Sequence, residues 1–222
     1  MTPYNFVNMA KLIGLDAVAL TDHNTCLNCP AAVKAGEKAG LTVIPGMELC
    51  TSEEVHVVCL FPGVENALAF SDYVRKTLPP VKNREDIFGQ QLIMDENDTI
   101  LGKEELLLTT ASGIGLYQVA ALVKEYGGCA FPAHINRNSY SVISNLGGIS
   151  LDMGFGSAEL TPDADVSAFC EKYPDLKKMR ILFNSDAHYL ENMNMNPKHM
   201  EIDAFDVDLI IKTIRNGETN PV

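Results

Sequence analysis

The sequence holds no apolar run near the roughly 20 residues that a membrane-crossing helix requires, so no contact with a membrane is expected. Its first residues, Met1 to Lys11, lack the basic start and long apolar core of a secretory signal, and the expected location is cytoplasmic. Basic residues are scarce: 17 Lys and Arg stand against 29 Asp and Glu, for a formal net charge of −12. Duplex nucleic acid is gripped by clustered Lys and Arg, so long duplex nucleic acid is not expected as a partner. A small phosphorylated substrate or a short oligonucleotide stays open, because divalent cations would invert the field of a carboxylate-rich pocket. A disulfide framework is also missing. The six cysteines are Cys26, Cys29, Cys50, Cys59, Cys129 and Cys170, and four of them sit in or beside apolar runs, where a free thiol behaves as a small hydrophobe. Cys26 and Cys29 form one C-x-x-C without the second pair that a zinc ribbon needs, and they read as the solvent-side start of a helix. This cysteine usage favours a reducing compartment. No internal repeat or low-complexity tract is present.

What the sequence does have is strand–helix alternation over a length suited to one large α/β domain, taken as residues 1–222. Pro3 to Ile13 reads as a helix with Thr2 as cap and Pro3 at its first position, stopped by Gly14. Asp16 to Thr21 is a short strand, Pro30 to Ala39 a helix, Leu41 to Ile44 a strand, Val55 to Phe61 another, and Glu65 to Thr77 a helix. The rhythm resumes with a helix at Tyr117–Tyr126, a strand at Cys129–Ala133, strands at Ser157–Leu160 and Arg180–Asn184, and a helix at Asp206–Arg215. Such alternation points to a mostly parallel sheet or barrel. Lys82 to Thr110 breaks the pattern. Its apolar stretches Gln91–Met94 and Thr99–Leu101 flank the polar turn Asp95–Asp98, which reads as a β-hairpin inserted on the surface.

The polar residues of interest share a position in this layout. His23 follows a strand, Glu48 follows the next, and His56 lies within the one after. His134 ends a later strand, and Asp186 and His188 end another. Parallel α/β architectures bind ligands at the carboxyl ends of their strands. Asp186 and His188 stand at i and i+2, so an extended backbone turns both to one face. Asp22 and His23 are adjacent, so only one points inward, and His23 is the candidate. A lone strand-end histidine is more often structural than a ligand. Here four of the five histidines lie at or near strand ends with Glu and Asp among them. His199, in the polar loop Asn196–Met200, reads as surface. Imidazole with carboxylate suits Zn, Mn or Fe rather than Ca. A carboxylate such as Glu48 can bridge two ions about 3.5–4 Å apart.

Thr21-Asp-His-Asn24, Gly46-Met-Glu48, Val55-His-Val57, Pro132-Ala-His134 and Asn184-Ser-Asp-Ala-His188 resemble, in order, the successive motifs of the PHP (polymerase and histidinol phosphatase) superfamily. The resemblance runs from about Thr2 to Asn216. The stretch His134-Ile-Asn-Arg-Asn-Ser-Tyr-Ser141 is similar to a bacterial subgroup of PHP-domain phosphoesterases. The resemblance implies a distorted (β/α)7 TIM-like barrel with up to three divalent metals at one end. It implies that Glu48 bridges two of them and that His56 and His134 complete the second. Asp186 would serve the first, and His23 and His188 the third. It also implies hydrolysis of a small phosphomonoester or nucleotide through a metal-bound hydroxide, with Glu48 and His134 as catalytic residues. Arg137, just past His134, is a candidate contact for substrate phosphate.

The pattern departs from the family at its start. The family opens with a strand carrying His-x-His, and no His-x-His occurs in this sequence, which begins where that motif would end. The expectation is therefore a barrel lacking its first strand, with fewer than three metals, the second site being the most complete. A catalytically disabled or scaffold domain is the alternative reading. The substrate, the native metal and the oligomeric state are not legible in the sequence.

Overall fold

The structure, a computed structural model, describes residues 1–193 and 199–217 of the 222. Most of the polar loop ahead of His199, residues 194–198, lies outside the described residues. Helix α1 (Pro3–Leu12) begins at proline, whose fixed φ suits a first helical position, and it buries Phe6, Val7 and Ala10 along one face. Strand β1 (Ala17–Leu20) leads into α2 (Cys29–Ala39), which ends at Gly40 with φ +66°, a left-handed conformation that glycine adopts without a Cβ clash. Strand β2 (Thr42–Cys50) then returns parallel to β1.

The next connection departs from the expected parallel pattern. Strand β3 (His56–Leu60) follows β2 after five residues, far too few for a crossover, and the two pair antiparallel. After α3 (Val64–Thr77), α4 (Glu85–Phe88), β4 (Leu92–Met94), β5 (Ile100–Lys103) and α5 (Leu116–Glu125), strand β6 (Cys129–Pro132) pairs antiparallel with β3. The main sheet has the order β1-β2-β3-β6 and is mixed. Helix α6 (Val142–Leu146) precedes β7 (Ser157–Glu159), and α7 (Val166–Lys172) separates it from β8 (Arg180–Leu182). Strands β7 and β8 form a separate parallel pair. Helix α8 (Val207–Asn216) packs Ile210, Ile211 and Ile214 against Ile44, Val58, Leu60 and Phe131.

The expected barrel is thus corrected to a mixed α/β fold whose sheets do not close. Among the described residues no ladder joins β6 to β7 or β8 to β1. β1 and β8 each pair on one side and line a common cavity of about 620 Å³, walled by Ile44, Leu60, Phe131 and Ile214. All four residues of β1 remain only half-buried despite their apolar character. No helix among the described residues is long and apolar enough to cross a membrane.

The inserted hairpin exists, as β4 and β5 around the turn Asp95–Asp98, with the short α4 as an unforeseen addition. It is tied firmly to the domain. Asp98 accepts from the Thr2 hydroxyl at 2.5 Å and from Tyr4 N at 2.9 Å, capping α1 from outside. Asn28 donates to Leu92 O at 3.0 Å and accepts from Met94 N at 3.0 Å. Asn24 is the stronger tie. It is buried, sits at φ +52°, and donates through Nδ2 to Leu108 O and Thr110 O, each at 2.8 Å. Its Oδ1 accepts from Cys50 N at 2.9 Å. Asn24→Ala strands three backbone groups, the buried amide of Cys50 and the half-buried carbonyls of Leu108 and Thr110, and puts a Cβ-bearing residue without a local partner in a left-handed conformation. The variant should lose about 3 kcal/mol, visible as a lower urea midpoint with unchanged m-value; an unchanged midpoint would contradict this account.

Candidate metal centre

The mixed sheet explains how distant residues meet. Because β3 runs against β2, its amino end lies beside the carboxyl end of β2, and His56 pairs with Cys50. β6 runs against β3 in turn, so its exit, at His134, returns to the same edge. β1 runs with β2 and delivers His23 there, where His23 forms an isolated parallel bridge to Glu48. Glu48 N donates to Asp22 O at 3.1 Å, and Glu48 O accepts from Asn24 N at 3.0 Å.

Glu48 is the hub. Its carboxylate is buried, and its two oxygens face different partners. Oε2 lies 3.2 Å from His23 Nδ1. Oε1 lies 3.2 Å from His56 Nδ1 and 3.3 Å from His134 Nε2. The His23 and His56 rings are 5.1 Å apart, and those of His56 and His134 are 5.4 Å apart. Among the described residues, His23, Glu48 and His56 form a group whose ligand atoms all lie within 4.8 Å of one another. His134 approaches the same carboxylate, and its Nδ1 is buried without a hydrogen-bond partner among the described residues. Three imidazoles converging on one buried carboxylate are a donor set that fits a divalent transition metal.

Asp186 and His188 stand at the rim. The His188 ring is 5.9 Å from that of His23, and His188 Nδ1 is 3.0 Å from Asp186 O and 3.8 Å from Asp186 Oδ1. Asp186 Oδ2 is held at 2.6 Å by Arg137 Nη1, so the candidate phosphate contact is tied to a candidate metal ligand. His199 is exposed and lines the cavity between β1 and β8. The Cys26–Cys29 pair is not on the solvent side. The first turn of α2 faces the sheet, so both residues are buried and both thiols donate toward Gly46 O, at 3.2 and 3.4 Å. Burial pushes the Cys26 thiol well above its usual range, as suits an inert core residue.

Two contributors are absent from the expected set. Tyr140 stacks on His56 at 4.7 Å with the rings 23° from parallel, and its carbonyl accepts from His56 N at 2.9 Å. Glu159, at the end of β7, accepts from His134 N at 3.2 Å and from Asn184 Nδ2 at 2.7 Å. The strand-end rule that found His134 also applies to Glu159, so its position was legible. Tyr140 depends on a loop conformation that no periodicity reveals.

A family model for the PHP domain matches residues 1–144. The chain belongs to the PHP domain family. No curated protein matches the sequence. The PHP fold is shared with the lesion-specific endonuclease PfuEndoQ from Pyrococcus furiosus, at a TM-score of 0.65 and 20% identity, over 97% of this chain and 51% of that one. A structure of Endonuclease Q with a 27-mer duplex bearing an abasic lesion gives 0.65 and 19%, over 97% and 52%. A protein from Bifidobacterium adolescentis, named for an inferred metal-dependent phosphoesterase activity, gives 0.56 and 16%, over 97% and 91%. At these identities the likeness concerns the fold, and the chain spans about half the length of the Endonuclease Q structures.

The charges of this PHP site are interdependent. Burial pushes the Glu48 carboxyl up, but bonds from His134 and His56 outweigh it and hold the group well below the usual carboxylate range. Burial pulls His134 down, but its bond to Glu48 together with the charges of Glu48, Glu159 and Asp186 outweighs that and raises its pKa. His23 is lowered, burial outweighing Glu48. With metal chelated, the stabilisation linked to His134 is fully present below the unfolded histidine pKa of about 6.5 and lost as pH rises through its raised folded value. The Glu48 contribution holds above the unfolded carboxylate range and is lost only as pH falls through its depressed value. The stability advantage of chelated wild type over Glu48→Gln should therefore be larger at pH 6 than at pH 9. Urea midpoints at the two pH values check this, and a pH-independent difference would count against the Glu48–His134 coupling.

Proposed function

We propose that this chain is a metal-dependent phosphoesterase domain that hydrolyses a small phosphomonoester or nucleotide. One observation carries the reading: the two oxygens of Glu48 face separate imidazole sets, Oε2 toward His23 and Oε1 toward His56 and His134. A carboxylate so divided is suited to bridge two cations. Glu48, His56 and His134 would hold one, and His23 with His188 another, with Asp186 as a further carboxylate at the rim. The donor chemistry favours Zn, Mn or Fe. Such a cation supplies Lewis acidity toward a phosphoryl oxygen and lowers the pKa of water.

The protein's own part is positioning. Glu48 fixes the three imidazoles from a buried strand end, and Tyr140 holds the His56 ring by stacking. Arg137, 45% exposed in its side chain and anchored on Asp186, presents a guanidinium at the mouth, where it would pair with substrate phosphate. His134 and Glu48 are the residues proposed to act nearest the reacting phosphorus. The name of the B. adolescentis neighbour supports a phosphoester substrate. The charge-based exclusion of duplex nucleic acid is not retained, since Endonuclease Q, of similar fold, is seen with a duplex. Small substrates or short oligonucleotides remain the preferred class on the net charge of −12. A cytoplasmic location, and one domain over residues 1–222, are part of the same proposal. A non-catalytic metal-binding or scaffold role is the second reading, favoured by the Arg137–Asp186 pair, which occupies one of the two oxygens of a candidate ligand.

The test is elemental analysis of the purified chain beside a phosphatase assay with added Mn²⁺ or Zn²⁺. The expected result is at least one tightly held transition metal per chain, lost in Glu48→Ala, together with turnover of a monoester or nucleotide. Metal without turnover would establish the scaffold reading, and faster loss of a long oligonucleotide than of any monoester would overturn the substrate preference. Arg137→Ala should raise KM about 10-fold or more, the worth of a charge-assisted hydrogen bond, with less change in kcat. Unchanged kinetics would remove Arg137 from the site.

A further inference from the structure

A second buried carboxylate lies beside the hub. Glu159 is 3% exposed, at the end of β7, and forms part of the wall of the cavity that Glu48 also lines. Placing two carboxylates side by side away from water is costly unless each is bonded. Burial, reinforced by the charge of Glu48, pushes the Glu159 carboxyl above its usual range. A residue serving only to fill space there would be apolar, like its neighbours Ala158 and Leu160, both fully buried.

Its bonds show what the carboxylate does. Oε1 accepts from His134 N at 3.2 Å, and Oε2 accepts from Asn184 Nδ2 at 2.7 Å. The Glu159 main-chain oxygen accepts from Ile135 N at 2.9 Å. One residue therefore receives two consecutive amides of the turn leaving β6, and it grips the segment leaving β8 two residues before Asp186. Both turns are strained. His134 has φ +31° and Asp186 φ +46°, values that residues with a Cβ avoid unless their surroundings hold them. Release of the His134 amide would let the turn relax and carry the imidazole away from Glu48, which it meets at 3.3 Å.

We infer that Glu159 is a positioning residue of the metal centre, a pin between two strained strand-end turns that aims the His134 imidazole at Glu48 and holds the Asp186 turn beside it. The inference rests on the metal-centre reading for its purpose, but the pin itself is a property of the metal-free chain. Groups that orient metal-bound imidazoles in this way change affinity by roughly 10–100-fold when removed.

The experiment compares wild type, Glu159→Gln and Glu159→Leu on the full chain. Glutamine keeps an oxygen for His134 N, and its amide can face Asn184 once that side chain turns its oxygen round. Leucine keeps the bulk and loses both bonds. Two readouts are taken: ¹⁵N signals of the His134 ring in chelated protein, and affinity for Co²⁺ followed by its visible absorption. Glu159→Leu should shift the His134 ring signals and weaken Co²⁺ by about 10–100-fold, whereas Glu159→Gln should leave the ring signals in place and stay within about 3-fold of wild type. Wild-type behaviour of Glu159→Leu in both readouts overturns the inference. So does a loss in Glu159→Gln as large as in Glu159→Leu with unmoved ring signals, which would make the charge and not the position decisive. If Glu159→Leu does not fold, Asn184→Ala decides, since it frees one end of the pin: shifted His134 signals support the inference and unshifted ones overturn it. Failure of wild type to take up Co²⁺ would reject the metal-centre reading, while the ring signals of the chelated proteins would still decide whether Glu159 positions His134.

Discussion

Everything at the candidate centre depends on one buried carboxylate being met from three directions. Glu48 has no solvent to share its charge with, so the surrounding imidazoles must stay within hydrogen-bond reach, at 3.2 to 3.3 Å. That requirement propagates outward. It sets the register of β2 against β3, because His56 must stand opposite Cys50. It requires the β6 exit to turn back over the sheet edge, and it requires the chain to run on three residues past the last ladder pair of β1, at Leu20, so that His23 arrives beside Glu48. A shift of one residue in any of these strands would turn a candidate ligand to the opposite face.

The turns that satisfy this geometry are not relaxed ones. Of the six residues other than glycine with positive φ among the described residues, Asn24, His134, Tyr140 and Asp186 lie in or beside the centre. Each is held from outside: Asn24 by three backbone partners, His134 by Glu159, Tyr140 by its stack and its bond to His56, Asp186 by Arg137. Concentrated backbone strain of this kind is what a preorganised site looks like before any ligand arrives. It also means that the supporting residues matter as much as those facing the cavity.

Much of this was readable in the amino-acid order. The strand-end rule pointed to His23, Glu48, His134, Asp186 and His188, because the apolar runs before them are short and cleanly bounded, although β2 runs on two residues past Glu48. His56 was found for a partly wrong reason. The alternation suggested parallel strands, but the five residues between β2 and β3 allow only a hairpin, and it is this reversal that brings a residue at the start of a strand to the site. The hairpin insertion was legible from its apolar arms and polar turn, whereas its attachment through Asn24, Asn28 and Asp98 was not, since a side chain bonding to a backbone group 64 to 94 residues away leaves no local pattern. The cysteine pair was misplaced because a C-x-x-C at a helix start has no period long enough to reveal which side faces the sheet. Closure of the barrel was an expectation from resemblance, and the absence, among the described residues, of ladders at β6–β7 and β8–β1 shows where the resemblance stopped being a guide.

Those two unpaired parallel edges, on β1 and β8, carry a consequence for how the chain behaves in bulk. Open edges flanking a partly apolar hollow invite other strands, and here no proline interrupts Ala17–Leu20 or Arg180–Leu182, the side chain of Arg180 being the one charge in the two strands. What keeps molecules apart is long-range: each carries a net charge of −12, and like bodies repel until the ionic atmosphere collapses. At physiological salt that atmosphere extends about 8 Å, and at molar salt about 3 Å, less than one interstrand spacing. Concentrated salt, by screening that charge, is accordingly expected to favour contact between these edges.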